Sequence, residues 1–257
     1  MTASGGQNGA AVSALFSAGC LFGEFAVIGK PYREAKAGGF KRVAKLYPYL
    51  CRRSSLVLLA SRPGFGSMKL AANAAHFARK RHGLKTVIFE SELTEADFRY
   101  HLLPQSIDVR IEAIHAPTVS QIRERLYQLK DTDLVVINRF QLIAPESADM
   151  NRILQLEDIA NELKALASEL NITILLLSQL PQEIERRADH RPVLNDLRYY
   201  GTIEQEADVI LFLYSDYYYH RESYDRCGSD YVPITECIIA KNRFGEKGSI
   251  RLPYVLR

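Results

Sequence analysis

The chain has 257 residues, of which 47% are hydrophobic and 25% charged, with a formal net charge of +3. This composition is ordinary for a soluble globular protein of one large domain with an appendage, and so small a net charge does not by itself indicate a nucleic-acid-binding protein. The cysteines are scattered without a C-x-x-C spacing, which predicts reduced thiols in a cytoplasmic protein rather than a disulfide framework or a zinc site. They are Cys20, Cys51, Cys227 and Cys237.

The N-terminal segment opens with MTASGGQNGA, whose composition predicts a disordered tail. Residues 15–29, LFSAGCLFGEFAVIG, form an apolar stretch that contains Glu24 and follows no basic region. Both a signal peptide and a membrane span are therefore excluded for this stretch. We expect instead an amphipathic helix that packs on the domain or on a neighbouring subunit.

Short apolar runs alternate with helical patterns from residue 55 onward. Seven runs predict strands: 55–60, 86–90, 133–138, 172–177, 208–214, 236–241 and 249–254. Helical spacing of apolar residues separates the first four runs, near 68–83, 95–103, 119–130 and 152–170. This order predicts an α/β fold whose mostly parallel twisted sheet carries helices on both faces. No long helix separates the last three runs, so we also predict an antiparallel edge.

Ligands of such sheets bind beyond the carboxyl ends of the strands. The sequence places four segments on that rim: 61–68, 90–92, 138–139 and 178–179. The first, within SRPGFGSMKL, is a glycine turn between a strand and a helix, as in the phosphate-binding P-loop G-x-x-x-x-G-K-[ST]. Gly64 and Gly66 can wrap a phosphate, but Ser67 stands in place of the lysine and Met68 in place of the magnesium-binding hydroxyl. The alternative is a tight turn without a ligand.

Three other rim residues are candidates for nucleotide chemistry. Asn138 ends the third predicted strand where a P-loop enzyme places an acid that holds magnesium through water, and an amide cannot supply that charge. Glu92 could orient an attacking water, and Gln179 could sense a γ-phosphate. Each could equally be a solvated or capping residue at a strand end.

Basic and aromatic segments follow further along the chain. Lys241 and Arg243, in AKNRFGEKG, could reach the nucleotide of a neighbouring subunit or simply form an exposed basic hairpin. EIERRADHRP (183–192) predicts a charged, mobile loop that either contacts a DNA backbone or is a solvated connector. The tyrosine-rich YSDYYYHRESYDR (214–226) suggests base stacking or, more simply, an extension between two strands.

Several segments together resemble the DnaB-type replicative helicases. LLLSQLPQEIERRADHRPVLNDLRYYGTIEQEADVILFLY is similar to that family's LSQL, E-x-R-x-D-K-R-P and S-D-L-R-x-S-G-x-I-E-Q-D-A-D patterns. ASRPGFGSM resembles its A-x-R-P-x-x-G-K-T, VIFESELT its F-S-L-E-M strand, and IIAKNRFGEKGSIRL its K-x-R-x-G-x-x-G-x-x-x-L ending. The KNRFG core is also similar to RadA repair ATPases. The likeness extends over about residues 40–255.

The resemblance implies a RecA-like P-loop NTPase core that assembles as a hexameric ring round single-stranded DNA, with nucleotide between subunits. By position, Glu92 matches the catalytic glutamate, Gln179 the sensor and Asn138 the metal-linked aspartate, while Lys241 and Arg243 match a finger acting in trans. The loop from Glu185 to Arg198 matches the DNA-backbone contact, through Arg186, Arg187, Arg191 and Arg198. The P-loop positions are Arg62, Pro63, Gly64, Phe65, Gly66, Ser67 and Met68. We therefore divide the chain into an N-terminal tail with a possible linker helix (1–39) and a RecA-like domain (40–257).

The departures from the family pattern decide the functional hypothesis. Ser67, Met68 and Asn138 replace three groups that handle ATP and Mg²⁺, which counts against both ligands and against hydrolysis. The sequence favours a catalytically weak or inactive helicase-like protein of DNA replication, as a homo-oligomeric ring or with an active replicative helicase, and without a membrane. An active ATP-dependent replicative helicase is the first alternative. A RadA-like recombination mediator is the second, and the I-E-Q-x-A-D pattern argues against it.

Overall fold

The computed structural model describes residues 39–102, 109–146, 151–220 and 234–253. The predicted N-terminal tail and the predicted helix at 15–29 lie outside these residues. The division at residue 39 therefore remains a prediction.

One eight-stranded sheet organises the described residues, in the order β3-β2-β4-β5-β1-β6-β7-β8. The strands are β1 Ser55–Ser61, β2 Thr86–Glu90, β3 Arg110–Ala113, β4 Leu134–Ile137, β5 Thr173–Gln179, β6 Val209–Tyr214, β7 Ile234–Asn242 and β8 Gly248–Pro253. All pairings from β3 to β6 are parallel, while β6–β7 and β7–β8 are antiparallel. The predicted mixed sheet with an antiparallel edge is confirmed.

Helices cover both faces of this sheet. They are α1 Gly39–Leu50, α2 Ser67–His82, α3 Glu95–Leu102, α4 Val119–Leu129, α5 Arg152–Glu169, α6 Ile203–Glu206 and α7 Asp216–Tyr219. The described part of the chain also contains three 3₁₀ segments: Phe140–Leu142, Gln182–Arg186 and Leu194–Tyr200. Side chains of β1 alternate between two cores, Val57 and Leu59 packing with α1, α2 and α3, and Leu56 and Leu58 with α4 and α5. Burial on both faces explains why the central strands read as continuous apolar runs.

Strand β3 is missing from the sequence-based prediction, which placed only helices between the second and third predicted strands. Its four residues, RIEA, pair with β2 at the edge of the sheet, and Ile111 is the buried one. A short edge strand has one solvated side and needs few apolar residues, so no apolar run marks it.

No helix among the described residues combines the length and the apolar character needed to cross a bilayer.

Gly201, which follows the 3₁₀ segment Leu194–Tyr200, offers a test of how this segment packs on α5. Its φ and ψ are 64° and −139°, and a Cβ there would lie 2.8 Å from the backbone nitrogen of Glu157. We expect Gly201→Ala to lower the free energy of unfolding by about 2–5 kcal/mol, since it adds a clash to a backbone conformation that only glycine adopts readily. Urea denaturation measures the change.

Gly83, which ends α2, is the matched control. Its φ is also positive at 68°, but no atom lies within 4 Å of the Cβ position. Gly83→Ala should therefore cost only the left-handed conformation, about 1–2 kcal/mol. Equal losses in the two variants would show that the contact with Glu157 is unimportant.

Candidate functional site

The carboxyl ends of β1, β2, β4 and β5 lie on one rim of the sheet because these strands are parallel. Ser61 at the end of β1 is in register with Gln179 at the end of β5, and Phe89 of β2 is in register with Ile137 of β4. The structure therefore brings the four predicted rim segments to the same edge.

The loop after β1 is a tight turn with two left-handed glycines. Gly64 and Gly66 have φ values of 83° and 77°, and Gly66 is the residue from which α2 begins. Both positions favour glycine, which explains why the sequence keeps them. Ser67 is half-buried at the start of the helix, while Pro63 is exposed. The turn and the helix N-terminus together can accommodate an anion.

Arg62 is held by its own chain. Its Nε lies 2.7 Å from Oε1 of Glu185, and a terminal nitrogen donates to the Leu180 carbonyl oxygen at 2.8 Å. The Tyr219 hydroxyl lies 3.3 Å from the same oxygen of Glu185. Arg62 thus ties the loop after β1 to the segment after β5, and its predicted contact with nucleotide stays a prediction.

Aromatic rings cover the same loop. Phe65 is buried, and its ring centroid lies 4.7 Å from that of Tyr218 and 6.0 Å from that of Tyr219. The ring of Tyr219 also stacks on His190 at 4.2 Å. Burial, followed by the nearby carboxylate of Glu185, raises the pKa of Tyr219 well above its ordinary value. The tyrosine cluster was evident in the sequence, but only the fold shows that its described part packs against the loop.

Glu90, which the sequence analysis did not assign, is the buried acid of this rim. Glu90 is the last residue of β2 and is 1% exposed. Both of its carboxylate oxygens lie 3.0 Å from the Asn138 amide nitrogen. The backbone N–H groups of Glu92 and Leu93 also donate to Oε1, at 2.7 and 3.2 Å. The sequence could have identified this residue, because the resembled motif has serine at the position of Glu90.

Glu92, the predicted catalytic glutamate, is exposed and forms an ion pair. Its Oε1 lies 3.2 Å from a guanidinium nitrogen of Arg139. Arg139 has a φ of 63°, an uncommon conformation for a residue with a side chain, and this turn directs the chain away from the end of β4. A base paired with a cation is less available to activate water.

Gln179 is fixed through its backbone. Gln141 donates its amide to the Gln179 carbonyl oxygen at 2.8 Å and accepts from the Gln179 N–H at 3.3 Å. The hydroxyl of Tyr200 donates to the same carbonyl at 2.5 Å. Gln141 and Tyr200, which sequence reasoning did not identify, therefore set the position of the predicted sensor.

Lys241 and Arg243 lie at the end of β7 and just beyond it, and both are braced by neighbouring elements. The Lys241 ammonium donates to the carbonyl oxygens of Glu204 and Gln205 at 2.7 and 2.8 Å. Burial, followed by the charge of Arg243, lowers the pKa of Lys241. The Arg243 guanidinium lies 3.0 Å from buried Asp208, and half of its side chain is exposed. The structure thus presents Arg243 on a rigid support.

The four predicted DNA-binding arginines divide into two kinds. Arg187 pairs with both carboxylate oxygens of buried Asp196, at 2.8 and 2.7 Å, and that hydrogen bond raises its already high pKa. Arg191 lies 2.8 Å from Glu236. Arg186 and Arg198 are exposed. Arg191 connects this loop to β7 through Glu236, whereas Arg187 and Asp196 both lie within the loop. The mobility of the loop stays a prediction.

The residues of the rim fit a phosphate better than they fit a divalent cation. Met68, at the position of the magnesium-binding hydroxyl, packs against the core. A thioether is a poor ligand for Mg²⁺, which prefers oxygen. Within the described residues, no group of three or more His, Cys, Asp or Glu side chains could hold a metal ion.

Known proteins resemble this chain along most of its length. Probable replicative DNA helicase of Trieres chinensis is 30% identical over 264 residues, covering 88% of this chain and 56% of the relative. Replicative DNA helicase DnaB of Geobacillus stearothermophilus is 30% identical over 238 residues, covering 79% of this chain and 51% of the relative. This chain thus spans about half the length of the curated relatives it matches.

Solved structures agree with these sequence relatives. One solved ATPase domain superposes with a TM-score of 0.72 at 27% identity, covering 86% of this chain and 92% of that chain. A DnaB-like replicative helicase, described with its interactions with primase, gives a TM-score of 0.69 at 25% identity, covering 98% and 66%. The family model of the DnaB-like helicase C-terminal domain matches residues 105–257. The chain therefore belongs to the DnaB-like helicase C-terminal domain family and has its RecA-like fold.

Proposed function

We propose that this protein acts in DNA replication as a helicase-like ring subunit or regulator that hydrolyses ATP weakly or not at all. The observation that carries this proposal is an asymmetry between the two halves of the candidate nucleotide site. The half that a subunit would use for its own nucleotide lacks the P-loop lysine, the magnesium-binding hydroxyl and the acid expected at position 138. The half that it would offer to a neighbour is present and braced.

The first half keeps the phosphate-binding backbone without the chemistry. Ser67 supplies no cation, Met68 packs against the core, and Glu92 forms an ion pair with Arg139. Removing a single electrostatic group that stabilises a transition state costs on the order of 10²–10³ in rate. Several such losses at one site favour slow or absent ATP hydrolysis. The backbone turn can still bind the phosphates of ATP.

The second half supports a role in trans. The Arg243 guanidinium donates to Asp208, and the exposed half of the Arg243 side chain faces outward. Lys241 caps the carbonyl groups at the end of α6 and holds the turn beside it. An arginine supplied by a neighbour in this way contributes about 10³–10⁵ in rate in other phosphoryl-transfer enzymes. We infer that this chain completes the site of an active subunit.

Two alternatives keep specific support. The glycine turn before α2 and the membership of the helicase family favour an active ATP-dependent replicative helicase. The KNRFG core favours a RadA-like mediator, although the family that matches is of the DnaB class. The free thiols Cys51 and Cys237 suit the cytoplasmic location expected for any of the three.

The role in trans depends on Arg243. Mixed with an active DnaB-type helicase from the same cell, the protein should change the ATPase rate of that helicase, and Arg243→Ala should abolish the effect because the trans-acting cation is gone. Steady-state phosphate release measures both rates. Arg251→Ala, which removes an exposed arginine from the adjacent strand β8, should leave the effect intact.

Two results would count against this role. Undiminished stimulation by Arg243→Ala would show that the arginine does not act in trans. Hydrolysis by the isolated protein at the rate of the active helicase would support the first alternative instead.

Arg186 and Arg198 test whether the loop from Glu185 to Arg198 contacts DNA, whereas Arg187 tests how the loop is stabilised. Arg186→Ala and Arg198→Ala should each weaken single-stranded DNA binding and reduce the slope of log affinity against log salt by about 0.7, since each removes one phosphate contact. Fluorescence anisotropy over a salt series measures the slope, and both variants should keep parental stability within about 0.5 kcal/mol.

Arg187→Ala is the contrasting variant. It leaves the buried Asp196 carboxylate without its bidentate partner, so the free energy of unfolding should fall by about 1–3 kcal/mol. Unchanged salt slopes in Arg186→Ala and Arg198→Ala would argue against DNA contact by this loop.

A further inference from the structure

We propose that Glu90 and Asn138 form one coupled pair with a single carboxylate. The hydrogen bonds of this pair prevent a divalent cation from binding at the ends of β2 and β4. The phosphate ligand of the neighbouring loop would then bind without Mg²⁺. This inference rests on the nucleotide site proposed above and specifies the form of its ligand as a metal-free polyphosphate.

The geometry of β2 and β4 creates the pair. The two strands are parallel neighbours with Phe89 opposite Ile137, so the next residue of each strand lies at the same height on the rim. The backbone N–H of Asn138 donates to the Phe89 carbonyl at 2.9 Å, which fixes the second strand end against the first. The Asn138 side-chain amide then meets both oxygens of Glu90 at 3.0 Å.

The resembled motif differs from this chain at both positions. The motif that this chain resembles has serine at position 90, in F-S-L-E-M, and an acid at position 138. This chain has glutamate and asparagine there. The resembled motif and this chain therefore each have one carboxylate at these two positions.

Burial explains why the two positions would change together. Glu90 is 1% and Asn138 is 8% exposed. Two carboxylates at this separation repel, and in a buried site one of them is forced to take up a proton or the structure is destabilised. An acid at position 138 is therefore incompatible with Glu90, and an amide there is its natural partner.

Because of these hydrogen bonds, few oxygen lone pairs remain to coordinate a cation. Oε1 of Glu90 accepts from the N–H groups of Glu92 and Leu93 and from the Asn138 amide, and Oε2 accepts from the Asn138 amide. The Asn138 amide presents its nitrogen, a donor, to the carboxylate. Mg²⁺ demands oxygen ligands in near-octahedral geometry, and these residues supply a closed donor–acceptor pair instead.

An exchange of the two side chains tests the coupling. Asn138→Asp should lower the thermal midpoint by roughly 5–10 °C, because it places a second carboxylate against Glu90. Glu90→Gln alone should change the midpoint little, since two amides can still pair. The double variant Glu90→Gln/Asn138→Asp, which has one amide and one carboxylate in reversed order, should return close to the parental midpoint.

The outcomes are distinct. A loss from Asn138→Asp that is equally large with and without Glu90→Gln would overturn the coupling, as would no loss in either background. If Asn138→Asp alone does not fold, soluble expression regained in the double variant supports the coupling, and continued failure overturns it.

Nucleotide titration tests the exclusion of metal. Binding of a fluorescent ATP analogue to the wild-type protein should change by less than about twofold between Mg²⁺ and EDTA, and the active DnaB-type helicase serves as the Mg²⁺-dependent control. A dependence of about tenfold or more, equivalent to 1.4 kcal/mol, would overturn metal-free binding. No binding in either buffer would overturn both the proposed nucleotide site and metal-free binding, whereas the coupling of Glu90 to Asn138 is decided by the midpoints alone.

Discussion

The buried carboxylate of Asp208 is the interaction on which the other contacts of this domain depend. Its Oδ2 accepts from the backbone N–H of Leu56 at 2.9 Å and pairs with Lys164 at 2.5 Å, while its Oδ1 pairs with Arg243 at 3.0 Å. An unpaired charge in this position would be costly, so β1, α5 and the turn after β7 are all required to supply partners. The residue that stabilises the junction of these elements is thus also the residue that orients the candidate trans-acting arginine.

Ion pairs and hydrogen bonds also occupy the polar side chains at the rim of the sheet. Arg62 is paired with Glu185, Glu92 with Arg139, and Glu90 with Asn138, so groups that a nucleotide could engage already have partners. Arg243 has a partner too, but half of it remains exposed. Arg243 therefore combines one buried partner with an exposed surface, which is the arrangement that the proposed role in trans requires.

The sequence predicted the parallel core well because the central strands are buried on both faces and contain little but Val, Ile and Leu. It failed at β3, where one buried isoleucine among polar residues gives no run to detect. At the rim, sequence spacing correctly identified which strand ends converge. It could not identify Glu90, Gln141 or Tyr200, whose roles arise from contacts between residues 20 to 50 positions apart.

The order of the elements apart from β3, the glycine turn and the chemistry of Ser67, Met68 and Asn138 were determined by the sequence alone, because they depend on local backbone preference and on the side chain at each position. Which charges are available was decided only by the tertiary structure. Arg186 and Arg187 are neighbours in the chain, yet one is exposed and the other is bound to Asp196. Since both the exposure of an arginine and its ion pairs depend on residues elsewhere in the chain, the fold rather than the composition decides which arginines can reach a ligand.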